Sequence, residues 1–198
     1  MIWRPTGNPA AGENLTITGP GADKLLITRA GAATIRPFVF SGPTQVTLTD
    51  MSISGFSSAI TGGSIISFNT GTPTAASTKL TINRVNISGN TGSTSAIYLG
   101  NGVHNILNST ISGNSSGSAT GGAIRSLGSD AATSLTVENS TLSNNTTTGS
   151  GGGINASTMT GTVNIRNSTI VNNKSNTATT TAGSGGGGVS RSTTTAFA

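Results

Sequence analysis

Leu80-Thr81-Ile82-Asn83-Arg84-Val85-Asn86-Ile87-Ser88-Gly89-Asn90 decides the architecture, because the pattern recurs along the chain. It returns as His104-Asn105-Ile106 through Asn114, as Leu135-Thr136-Val137 through Asn145, and as Val163-Asn164-Ile165 through Asn173. An earlier copy, Val46-Thr47-Leu48 through Phe56, ends on phenylalanine instead of asparagine, and Leu15-Thr16-Ile17 opens a further one. With Leu48, Ile82, Ile106, Val137 and Ile165 as reference points the intervals are 34, 24, 31 and 28 residues. A fixed unit with loops of variable length has this signature.

Inside each copy the apolar residues lie two apart and then five further on. Alternation over so short a run marks strands, and no 3.6-residue period is sustained anywhere. Leu80/Ile82, Leu135/Val137 and Val163/Ile165 are therefore read as facing inward from one short strand. Ile53, Ile87, Ile111, Leu142 and Ile170 form the inward column of a second strand, after a bend. A third segment precedes the first: Ala96-Ile97, Gly121 to Ile124, Gly151 to Ile154 and Gly186 to Val189. One such coil cannot bury its own apolar face, but stacked coils share a narrow core. The expected fold is an all-β, right-handed parallel β-helix (β-solenoid) of about six coils, each of roughly 29 residues with three short strands.

Polar columns support the same stack. Two residues after the reference stand Asp50, Arg84, Asn108, Asn139 and Asn167; eight after it stand Asn90, Asn114, Asn145 and Asn173. Asparagine tolerates the left-handed backbone of a bend, and stacked amides can bond up and down a column. At a coil spacing of about 4.8 Å, Asp50 falls beside Arg84, and Glu138 beside Arg166. Residues 46–198 are read as repeat coils of a single solenoid domain. Residues 1–45, with irregular spacing and five prolines, are read as N-terminal coil or partial cap, while no comparable cap is visible at the other end.

Composition fits this reading. Gly, Ser, Thr and Asn make up 111 of 198 residues, with 8% charged, 4% aromatic and no cysteine. A core of 32% hydrophobic residues is small for a multilayer domain, yet the regular apolar spacing and a net charge of only +5 argue against disorder. No apolar run approaches the 18 residues of a membrane-spanning helix, and no secretory leader is recognisable from Met1 to Ala11.

The GGAI and GGGI segments (Gly121 to Ile124, Gly151 to Ile154), followed by [LV]-x-[IV]-x-N-S-T-[IL]-x-x-N, resemble the right-handed β-helix repeats of bacterial secreted and surface proteins. They are similar to polymorphic outer-membrane protein repeats, whose marks are GGAI and FxxN, and more broadly to the pectate-lyase-like superfamily. Asn14 to Ala22 resembles a coil common near the start of such domains, and the likeness spans roughly residues 14–190. Ile or Leu stands in place of the Phe of FxxN in every copy. The resemblance implies a surface-displayed adhesin or passenger domain, with a polysaccharide-degrading enzyme as the alternative.

Glycoside hydrolysis needs two carboxyls about 5 or about 6.5–9.5 Å apart, and the chain has only Glu13, Asp23, Asp50, Asp130 and Glu138. Asp50 and Glu138 fall about three coils, or roughly 14 Å, apart; only loops could join Asp130 to Glu138. A calcium-dependent lyase needs clustered carboxylates, which cannot be read here. His104 is the only histidine; lacking a second ligand, it is read as sitting outside, with a local slip turning Val103 inward. The glycine runs lack the helix and lysine of a phosphate loop and are read as tight bends. Asn-x-Ser/Thr triplets such as Asn108-Ser109-Thr110 arise from the ladder itself.

The basic balance, pI about 10.9, is spread thinly over Lys79, Arg84, Arg125, Arg166, Lys174 and Arg191. With Tyr98, Trp3 and Phe56 isolated, this suits loose attraction to anionic glycans or lipid head groups rather than nucleic acid. The Thr-x-Thr ranks of an ice-binding solenoid are broken at Asn83 and Glu138, which leaves ice binding a minor alternative. The expected function is thus a non-catalytic structural or adhesive segment of a secreted or cell-surface bacterial protein, with no cofactor and no metal. Its expected partners are surface glycans or further copies stacked end to end. Loops around Thr70 to Thr78, Ser115 to Thr120, Thr146 to Ser150 and Asn173 to Ser184 would carry recognition.

Overall fold

The computed structural model describes residues 14–32, 34–40, 44–59, 63–68, 78–117, 121–175 and 186–191. The segment before Asn14, the stretches 69–77, 118–120 and 176–185, and the residues Trp3 and Glu13 lie outside the described residues. Every strand pairing is parallel and no helix occurs among the described residues, so the chain is a parallel β-solenoid. Among the described residues three sheets of ten, five and six strands form its faces.

The ten-stranded long face holds both strands read from the repeat. In the fourth coil these are Val103–Leu107 and Thr110–Ser112, paired in register with Ser134–Glu138 and Thr141–Ser143 of the fifth. In the second and third coils they fuse into Gln45–Ser54 and Lys79–Ser88. The bend between them has a left-handed backbone throughout, with φ of 59° at Asp50, 55° at Arg84, 49° at Asn108 and Asn139, and 45° at Asn167. Most side chains resist that conformation and asparagine resists it least, which is why three of the five are asparagine.

A second bend follows at Gly55, Gly89, Gly113, Asn144 and Asn172, with φ between 55° and 71°. Glycine holds the first three of these positions and asparagine the last two, because both accept positive φ. Beyond it lies a strand absent from the sequence reading: Ser57–Ser58, Thr91–Gly92, Ser115–Ser116, Thr146–Thr147 and Lys174–Ser175 build the five-stranded face. No apolar residue marks these rungs, so three of the expected loops, those opening at Ser115, Thr146 and Asn173, hold a strand at their start instead. The six-stranded face carries the GGxI segments, with Ile66, Ile97, Ile124, Ile154 and Val189 in one inward column. The first coil reaches only two of the three sheets. The stack therefore makes about five turns, slightly fewer than the six coils expected.

The core is a narrow prism. Leu48, Ile53, Leu80, Ile82, Ile87, Ile106, Ile111, Leu135, Val137 and Leu142 are fully buried. The five-stranded side is lined instead by small polar residues, with the Ser116 hydroxyl donating to Thr147 Oγ1 at 2.8 Å. Phe38, Phe40 and Phe68 fill the N-terminal part, with ring centroids 6.1 and 5.6 Å apart.

The glycine runs do more than turn the chain, since they stack on one another between coils. The amides of Gly122, Ala123 and Ile124 donate to the carbonyls of Gly151, Gly152 and Gly153 at 3.0 Å. A Cβ on Gly122 would lie 2.1 Å from the Gly152 carbonyl oxygen. Gly122→Ala is expected to cost about 1–3 kcal/mol through this backbone clash, read as a lower melting temperature. Gly89→Asn, in the column of Asn144 and Asn172 and with nothing within 4 Å of its Cβ position, is expected to leave the melt within about 0.5 kcal/mol of the parent.

Candidate functional site

The chemistry built into this fold is concentrated in two buried ladders. Asn90, Asn114 and Asn145 are 1% exposed or less. Each side-chain amide donates to the Oδ1 of the next coil's asparagine: Asn90 to Asn114 at 2.9 Å, Asn114 to Asn145 at 3.0 Å, Asn145 to Asn173 at 2.8 Å. The main-chain amides of the same residues donate to the same oxygens at 3.0–3.1 Å. The second Nδ2 proton goes back to the carbonyl of Ile53, Ile87, Ile111 or Leu142 in the preceding coil. For Asn114 and Asn145 every amide group is thereby satisfied, as burial requires. Phe56, buried in the same column, closes the ladder by donating its main-chain N–H to Asn90 Oδ1 at 3.0 Å.

The second ladder was not anticipated. Ser109, Ser140 and Ser168 follow the bend asparagines, and each hydroxyl donates to the carbonyl two residues earlier. Each oxygen accepts the main-chain N–H of Val85, Ser109 or Ser140 from the coil before, always at 3.1 Å. The Asn-Ser-Thr triplet was its visible signal: asparagine for the bend, serine inward, threonine out.

The bend column itself is exposed and carries weaker contacts. Asn108 donates to Asn83 Oδ1 at 2.8 Å and Asn139 to Asn108 Oδ1 at 3.4 Å. Asp50 and Arg84 form the expected pair as a two-pronged contact, Nε to Oδ1 at 2.6 Å and Nη2 to Oδ2 at 2.7 Å. The Arg84 guanidinium, with the Thr49 hydroxyl, holds the Asp50 carboxyl below the usual carboxylate range. Glu138 and Arg166 are register neighbours as expected, but no ion pair joins these two long side chains.

His104 corrects the sequence reading. It pairs in register with Leu80 and Leu135, faces inward and is 0% exposed, while Val103 stays in the outward column of Lys79 and Ser134. No slip is needed because Gly102, with φ of 152°, leaves room: a Cβ there would lie 2.6 Å from His104 Cε1. Nε2 stands 3.2 Å from the Gly100 carbonyl oxygen, the ring meets Phe68 edge-on at 5.6 Å, and Nδ1 has no protein partner. Burial pushes the imidazole down to about 4, so it is neutral in the folded chain at neutral pH.

The acidic candidates do not converge. Asp130 accepts the Ala132 amide within its own turn at 2.9 Å, just before the strand Ser134–Glu138 that places Glu138 at its far end. Four strand steps put the Glu138 backbone about 13 Å from the Ser134 end of that strand, so a glycosidase-like carboxyl pair would need Glu138 to fold back along it. No cluster of three or more metal-ligating side chains occurs among the described residues. The Thr47–Thr49 rank is followed in register by Thr81–Asn83, Asn105–Leu107 and Thr136–Glu138, so the threonine array is broken.

Tyr98 is less isolated than it looked, since it lies beside Arg125 in register with the guanidinium carbon 5.6 Å from the ring centroid. Lys79, Arg166 and Lys174 are exposed on the surface. No helix among the described residues is long and apolar enough to cross a membrane. No family model, no curated protein and no solved structure matches this chain.

Proposed function

We propose that the chain is a non-catalytic structural and adhesive segment of a secreted or cell-surface bacterial protein. On this reading it is a right-handed β-helix related to the repeats of surface adhesins, the pectate-lyase-like superfamily lending the fold without its chemistry. The saturated asparagine ladder carries this reading: its buried amides are spent on one another and on main-chain groups of adjacent coils, which makes a rigid scaffold and leaves them nothing to offer a substrate. Support also comes from the carboxylates, held in an ion pair at Asp50 and separated at Asp130 and Glu138. Anionic surface glycans are the proposed partners, attracted by the thinly spread basic side chains.

The test is incubation with a panel of acidic and neutral polysaccharides, following released product and co-sedimentation in the same tubes. Retention without cleavage is the expected result. Chain cleavage that disappears in Asp130→Ala or Glu138→Ala overturns the proposal in favour of a polysaccharide-degrading enzyme.

A further inference from the structure

The large apolar side chains left exposed are not spread over the rod. Among the described residues they are Leu26 at 58%, Val39 at 52% and Val171 at 42%, all in the first or the last coil. At the N-terminal end of the described residues Leu15, Ile17, Leu26, Ile27 and Phe38 line a groove of about 530 Å³. At the other end Ile165, Ile170 and Val189 are only partly buried. Among the described residues each end also presents strand edges that no neighbouring strand pairs, and such edges are templates for another chain.

We propose that copies of this chain dock head to tail, the last coil of one on the first coil of the next. The inference deepens the structural reading above and rests on it. Followed through the successive pairings, Ile17 and Ile165 share one column and Ile27 and Ile170 another. A last coil laid on a first coil therefore finds the register of internal coils on the ten- and six-stranded faces, but not on the five-stranded face, which the first coil does not reach. Leu26 then lies beside Thr169, and Val171 beside Thr28, so the two exposed apolar side chains become diagonal neighbours within reach of one another.

Symmetric pairing does less. Two like ends facing each other wind in opposite senses, so their columns cannot coincide all round. Two C-terminal ends would also oppose Arg166, Lys174 and Arg191 with themselves, and that coil has no described acid. Head-to-tail contact is heterologous and does not close, so it yields chains whose length grows with concentration. The first coil has no asparagine between Arg29 and Ile35. The amide ladder thus stops at the junction, which makes it weaker than a contact between internal coils.

Sedimentation velocity over rising concentration tests this with Leu26→Lys and Val171→Lys. Both side chains are exposed, so neither change disturbs the core, and circular dichroism checks that the fold is kept. The parent is expected to pass beyond dimer as concentration rises, and each variant alone is expected to stay monomeric. An equimolar mixture of the two should give dimer and nothing larger, because one variant keeps an intact tail and the other an intact head. A parent that stays monomeric overturns the inference, as does pairing by either variant alone, which means a symmetric contact. A monomer that still retains polysaccharide without cleaving it overturns only the docking; cleavage overturns the structural reading whatever the assembly.

Discussion

Asn145→Ala is expected to destabilise the solenoid by about 3–5 kcal/mol, since each buried polar group left without a partner costs roughly 1–3 kcal/mol. The change removes the acceptor of both the main-chain and side-chain amides of Asn114, and the donor to the Ile111 carbonyl. Asn145 is 0% exposed, so water cannot stand in. For a chain of this size the melting temperature should fall by roughly 6–20 °C. Asn139→Gly is the control: it deletes an exposed amide of the other column but keeps a residue that accepts positive φ, and should shift stability by less than about 0.5 kcal/mol. Equal effects of the two substitutions would mean that the buried ladder has no special part in stability. Asn145→Asp separates donor from acceptor. It can still accept from Asn114, but aims a carboxylate at the Ile111 carbonyl and the Asn173 Oδ1, so its loss should be greater at neutral than at acid pH.

Acid should weaken the parent through His104. The unfolded imidazole titrates near its ordinary value of about 6.5, and burial lowers the folded one to about 4. The unfolded state therefore binds the proton more readily, and stability falls as pH drops through this window. The contribution of neutral His104 is complete above the upper value and lost by the lower, about 3 kcal/mol in all at about 1.4 kcal/mol per pKa unit. His104→Leu, matching Leu80 and Leu135 in its column, should flatten that limb and leave the variant more stable than the parent at pH near 4. Denaturant midpoints measured across the range decide it. Parallel profiles for parent and variant would show that the acid limb arises elsewhere, with the Asp50–Arg84 pair the next group to examine. That pair loses its attraction only when the carboxyl is protonated, at lower pH.

Much of this structure was legible because repetition supplies its own alignment. Five copies of one pattern fixed the inward columns and the asparagine positions, and column adjacency alone placed Asp50 beside Arg84. The serine ladder escaped notice because Met51 and Val85 occupy its position in the second and third coils, so the column reads as apolar at one end and polar at the other. The five-stranded face escaped because Ser-Ser, Thr-Gly and Thr-Thr rungs carry no alternation of polarity. Reading His104 as outside, for want of a second ligand, required a local slip that the register does not make: Asn105, Ile106 and Leu107 all hold their partners, and moving one residue would have moved them all. Glu138 and Arg166 show the opposite limit, for neighbouring backbones do not oblige two flexible exposed side chains to meet. The separation of Asp130 from Glu138 depended on where a turn ends, which periodicity does not reveal.

The hydrogen bonds between coils all run along the axis of the stack, and this has a mechanical consequence. Tension applied between the two ends loads the coils in series, so each interface between coils carries the whole force and an end coil, held by a neighbour on one side only, gives way first. The rod should peel one coil at a time, each release freeing 24–34 residues and hence roughly 80–120 Å of chain. A sideways load is shared by many rungs at once and meets a stiff beam. A surface stalk built this way would stand upright against flow, yet yield in even steps when its tip is pulled away.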